Sequence, residues 1–166
     1  MLEPDAPPIG LRTHRALYEE LLTHLLAVVP LEAVGLLGCV AEGEWSRAVS
    51  FYPGDNVDAS TTRYTMDPAA VLGAFRVMGG RGQRFGASVH SHPASQPVPS
   101  ATDLRECHYP DALLVIVSLM EPAPSSRCWR IVFDEEGQRA ESAVELLFVV
   151  DEDYEDSPNR KVLDDN

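Results

Sequence analysis

Between Leu11 and Val29, apolar residues recur at Leu17, Tyr18, Leu21, Leu22, Leu25 and Leu26. That stripe predicts an amphipathic helix, which Pro30 stops. Leu31 to Val40 reads as a buried strand, and the turn Ala41-Glu42-Gly43-Glu44 leads into a second strand from Trp45 to Tyr52. Pro53 to Thr62 is a polar loop. Asp67-Pro68 has the form of an N-cap followed by proline at the first helical position, and predicts a helix to Met78 closed by Gly79-Gly80. From Phe85 to His92 polarity alternates: Phe85, Ala87 and Val89 share one face, Ser88, His90 and His92 the other. Pro93 ends that strand's ladder. Ser100 to about His108 is a short helix, and Asp111 to Met120 is a central strand buried on both faces. Cys128–Asp134 and Ser142–Val150 supply two more strands around Glu135-Glu136-Gly137. Interleaved helices and strands, with no internal repeat, predict a layered α/β domain with a mixed sheet.

Length and charge narrow the functions open to such a domain. The 166 residues suit one domain and are too few for a TIM barrel. The Pro-rich residues 1–10 form the expected flexible N-terminus, 11–150 the domain, and 151–166 an acidic, solvated tail with seven acids against Arg160 and Lys161. Thirteen basic against 26 acidic residues give a net charge of −13. That field repels nucleic acid and anionic lipid, and favours a partner with a basic surface. Cys39, Cys107 and Cys128 are odd in number and lack CxxC spacing, so neither a disulfide framework nor a cysteine zinc site is expected. Neither a signal-peptide pattern nor an apolar run of membrane-spanning length is present, so the cytoplasm is the expected compartment. His14, His24 and His108 are expected at the surface, Trp45 and Trp129 in the core or on a sheet face.

The candidate chemistry lies in one segment, His90-Ser91-His92-Pro93, then Ser100-Ala101-Thr102-Asp103 after a six-residue gap. Imidazoles at i and i+2 of a strand point the same way, and Asp103 brings a carboxylate to the same point after a short loop. Three protein ligands with an open fourth position characterise catalytic zinc. Ser100-x-x-Asp103 also has the form of a capping box, and the two roles are compatible, because an acid at a helix N-terminus can still turn one oxygen outward. Chance would produce the joint pattern about once in ten thousand chains or less. Such a site needs a base, and Glu32, after the proline that ends the first helix, is one of several acids that could serve.

Pro30-Leu31-Glu32-Ala33-Val34-Gly35-Leu36-Leu37-Gly38, followed by HSHP-x6-PS-x2-D, resembles the JAMM (MPN+) metalloprotease family. The likeness runs from about Leu11 to Val150 and includes Asn56 and the Tyr64…Asp67-Pro68 stretch in the family's order. It implies that His90, His92 and Asp103 bind one zinc ion, that Glu32 is the general base and proton shuttle, and that Ser100 stabilises the oxyanion. Ser91 would face away from the metal. The implied fold is a three-layer α/β/α domain with a curved mixed sheet, similar to cytidine deaminases.

The family cuts peptide or isopeptide bonds at the tails of ubiquitin-like proteins. Such a tail enters a groove as an added strand, its terminal Gly-Gly suiting a narrow passage beside the zinc. The short chain resembles compact prokaryotic members that act on sulfur-carrier proteins. Release of ubiquitin-like modifiers from lysines, as by a deubiquitinase or desampylase, is the alternative, and a non-catalytic zinc-bearing binding module a more distant one. Zinc deaminases need HxE and PCxxC, both absent here. Iron oxygenases place an acid where this chain has His92.

Overall fold

The longest apolar runs occupy the middle of the sheet. A computed structural model describes residues 6–152. In it, strands β2 (Val34–Glu42), β4 (Arg84–His92) and β5 (Leu113–Ser118) lie side by side, and all six residues of β5 are buried. Burial on both faces is what a run such as Leu-Leu-Val-Ile-Val requires. Outside them are β1 (Gly10–His14), β3 (Trp45–Gly54), β6 (Ser125–Phe133) and β7 (Ala140–Asp151), in the order β1-β3-β2-β4-β5-β6-β7. β1 pairs parallel with β3 and β7, β4 pairs parallel with β5, and the other neighbours are antiparallel. The mixed sheet is thus curved until β7 meets β1 and closes it into a barrel.

Helices cover both faces. Leu21 and Leu25 of α1 (Arg15–Ala27) pack on Leu37, Cys39, Ala87, Val89, Val115 and Val117. On the other face, Ala74 and Met78 of α2 (Pro68–Gly80) meet Val34 and Leu36, and Leu104 of α3 (Ala101–Arg105) meets Leu114, Ile116 and Trp129. Each strand sends alternate residues to opposite layers, which is the three-layer arrangement. His90 stands level with Val34 and Ile116, so it belongs to the α2/α3 side.

Several boundaries differ from the sequence reading. The first helix begins at Arg15, because Leu11 and Thr13 are buried at period two in β1. Five residues are too few for that alternation to stand out beside a helical stripe. Ile9 already bonds to the strands, its N–H donating to Glu44 and its carbonyl accepting from Leu147. Residues 1–5 and 153–166, and with them most of the expected tail, lie outside the described residues. Within α2, Gly79 and Gly80 complete the last turn, and the left-handed residue beyond it is Gly82, at φ +67°. Phe85 does not share a face with Ala87. The register passes from Leu37↔Ala87 to Gly38↔Phe85, leaving Gly86 as an extra residue that turns Phe85 toward α2. A Cβ on Gly86 would stand 2.3 Å from Cys39 Sγ, so this crossing requires glycine. The third helix is shorter than expected and ends at Arg105. Of the three histidines expected at the surface, only His108 is exposed. His24 is half-buried and donates from Nε2 to the Val34 carbonyl (2.9 Å), and half-buried His14 contacts Arg47.

Candidate active site and metal centre

Register brings the separated motif residues together. Continuing the β2–β4 pairing past Val34↔His90 sets Ala33 beside Ser91 and Glu32 level with His92. Ser91 secures this step twice: its N–H donates to the Ala33 carbonyl (3.0 Å), and its Oγ accepts from the Ala33 N–H (2.9 Å). Ser91 belongs to the opposite parity from the two histidines and is fully buried. It is therefore a strut under the site.

His90, His92 and Asp103 are all buried, and their donor atoms form a small triangle. His90 Nε2 and His92 Nε2 are 3.1 Å apart, His92 Nε2 lies 3.0 Å from Asp103 Oδ2, and His90 Nε2 lies 3.3 Å from Asp103 Oδ1. Donors about 2.0–2.1 Å from a tetrahedral zinc would stand roughly 3.3–3.4 Å apart, close to these separations. The tautomer also fits. His92 Nδ1 lies 2.7 Å from the Gln96 carbonyl, which can only accept, so the proton sits on Nδ1 and the Nε2 lone pair faces the triangle. Among the described residues no fourth His, Cys, Asp or Glu joins the cluster, leaving a metal there a position for solvent. The residues present fit zinc.

Electrostatics within the triangle are strongly coupled. Burial works against the charged form of Asp103, yet the adjoining His90 and His92 rings and the Ser100 N–H outweigh it and hold the carboxyl well below its usual range. Burial keeps His90 neutral, while His92, also opposed by burial, is raised through Asp103 and Gln96. Glu32 sits beside them, 3% exposed, with its Oε2 buried and unpartnered. Burial pushes its carboxyl up to about 7, partly opposed by His92 and reinforced by Asp103.

The capping box is present. Ser100 Oγ accepts from Asp103 N–H (3.0 Å), while Ser100 N–H donates to Asp103 Oδ2 (2.8 Å). Neither bond uses the hydroxyl proton of Ser100, which is exposed. The connecting loop is pinned at three successive carbonyls: Ser95 accepts from Ser118 Oγ (2.6 Å), Gln96 from His92, and Pro97 from Trp129 Nε1 (3.0 Å).

Sequence reasoning missed the supports from Ser118 and Trp129, because partners more than 20 residues away leave no local spacing. It also assigned no task to Tyr64, whose ring lies over His90 at 4.4 Å between centroids and 27° between planes. Tyr64 lines a cavity of about 370 Å³ with Asp103, Met66, Val71 and Tyr109.

Residues 14–132 match the family described as prokaryotic homologs of the JAB domain. The chain belongs to that family. It is 38% identical over 96 residues to a Thermus thermophilus protein named "Probable TtuB-protein conjugate cleaving protease", covering 57% of this chain and 62% of that one. It is 32% identical over 117 residues to the CysO-cysteine peptidase of Mycobacterium tuberculosis, covering 70% and 79%. It is 30% identical over 90 residues to the desampylase of Haloferax volcanii, covering 54% and 63%. The first and last of these matches thus span less than two thirds of the relative. Among solved structures, a Desulfitobacterium hafniense protein superimposes with a TM-score of 0.76 at 32% identity, over 87% of this chain and 95% of that one. No helix among the described residues is long and apolar enough to cross a membrane.

Proposed function

We propose that this JAB domain is a zinc-dependent hydrolase that cleaves the peptide or isopeptide bond after the C-terminal Gly-Gly of a ubiquitin-like, sulfur-carrier-type protein. The observation that carries this reading is a buried His-His-Asp triangle with an unpartnered carboxylate oxygen beside it. The names of the relatives support the substrate class, since they describe a protease cleaving TtuB-protein conjugates, a CysO-cysteine peptidase and a desampylase. His90 Nε2, His92 Nε2 and one oxygen of Asp103 would hold the ion. When bound, zinc supplies a Lewis acid for the scissile carbonyl and lowers the pKa of a water to about 7.

The chain's own residues do the rest. Glu32 takes a proton from the attacking water at its free Oε2 and returns it to the leaving nitrogen. A buried carboxyl with an unpartnered oxygen can perform both transfers. The free proton of Ser100 donates to the oxygen that gains charge as the carbonyl becomes tetrahedral. The Gln96 carbonyl keeps the imidazole of His92 in the tautomer that presents Nε2 to the ion. The three unbridged cysteines suit work in the reducing cytoplasm.

Incubating zinc-loaded protein with carriers extended after Gly-Gly, or joined to a lysine, and reading intact mass tests the reaction and tells the two bond types apart. Metal removal abolishes the mass change. Glu32→Gln keeps zinc bound and lowers kcat by about 10²- to 10⁴-fold. Near-normal turnover of Glu32→Gln would remove Glu32 from the base role, and carrier binding without any cleavage would favour the binding module.

A further inference from the structure

Asn56 occupies a loop that sequence patterning reads only as polar, yet all four hydrogen-bonding positions of its amide are engaged. Nδ2 donates to the Glu32 carbonyl (3.0 Å) and to the Arg63 carbonyl (2.9 Å). Oδ1 accepts from Asp58 N–H (3.1 Å) and Thr65 N–H (3.0 Å). One side chain thus ties the backbone of the base to both sides of the segment that carries Tyr64 over His90. The same segment holds Glu32 from its other side, where Glu32 N–H donates to the Ser60 carbonyl (2.8 Å). Val57 N–H donates to Thr65 (2.8 Å) and Asn56 bridges Met66, so the segment is a closed ribbon.

Glu32 lies just before β2, beyond the regular ladder, and its side chain has an unbonded oxygen. Its position is therefore set through its main chain, by Ser60, Asn56 and, at the next residue, Ser91. We propose that Asn56 is a positioning residue for the reaction. It fixes the Glu32 carboxylate relative to the His90–His92–Asp103 triangle and couples it to the ring covering His90. All four bonds of the Asn56 amide go to main-chain groups outside the triangle. It acts because a displaced base loses proton-transfer geometry even while the metal ligands stay in place.

The inference rests on the hydrolase reading, and Asn56→Asp separates the two. Aspartate keeps an oxygen for Asp58 and Thr65 and removes both donors to Glu32 and Arg63. In the zinc-loaded variant, kcat on a Gly-Gly-extended carrier falls on the order of 10–100-fold with little change in KM, and zinc still binds at one ion per chain. Amide hydrogen exchange at Glu32 and Ala33 quickens about ten-fold, whereas β5 amides are unchanged. Asn56→Ala removes the same donors without adding charge. Measured well below its melting temperature, it gives the same kcat loss and covers the case in which Asn56→Asp does not fold. A kcat within two-fold of the unaltered protein in either variant overturns the proposal, as does unchanged exchange at Glu32 and Ala33. If the unaltered protein cleaves no Gly-Gly tail, the proposed reaction fails, and exchange alone decides the positioning role.

Discussion

Glu32 would titrate near 4.5 in an unfolded chain and at about 7 in the metal-free fold. Folding therefore favours its protonated form, and that contribution to stability is complete below about pH 4.5 and lost as pH rises through 7. Under a strong chelator, Glu32→Gln is expected to melt close to the unaltered protein at pH 5 and clearly above it at pH 8. Both proteins keep His90 and His92, so the difference between their melting curves reports the carboxyl together with its pull on His92. A gap that stays constant from pH 5 to 8 would show that Glu32 is not buried beside the triangle. At this scale the ligands were legible because a period of two places His90 and His92 on one side of any strand. Glu32 as base rested on resemblance, because nothing in spacing alone sets it level with His92. Asn56 appeared only through resemblance, and its four bonds run up to 24 residues away.

Among the elements, the loop between His92 and Ser100 depends on side chains from strands that pattern alone assigns to the core. Trp129 reads as an apolar residue in β6, and its indole N–H, the donor to Pro97, is invisible to hydrophobic periodicity. Trp129→Phe keeps the aromatic packing and removes that donor. It should cost about 1 kcal/mol of stability. Zinc affinity should fall on the order of ten-fold in a competition titration, since the same loop supplies the carbonyl that orients His92. Unchanged affinity would mean that the loop holds its form without Trp129. β5 and α2 were readable because an unbroken apolar run and an Asp-Pro helix start are local signals. β1 and the Gly86 bulge were not, since each depends on a neighbouring strand.

Over the whole molecule, charge and closure matter most. A net charge of −13 should draw in a carrier with a basic surface, so kcat/KM on such a folded carrier falls as ionic strength rises. A short neutral peptide ending in Gly-Gly and one further residue should show little salt dependence. Equal dependence for both would place the effect at the site and not in the encounter. The layered α/β character was legible from interleaved elements, whereas closure was not, because β1 and β7 lie at opposite ends of the described chain.

That closure bears on how anything extended can be held. Among the described residues every strand has a neighbour on each side, but the seam is short: β1 pairs with four residues of β3 and five of β7, so residues 49–54 of β3 and 140–146 of β7 carry a ladder on one side only. Strand addition, by a copy of this protein or by an extended peptide, is therefore confined to those two stretches.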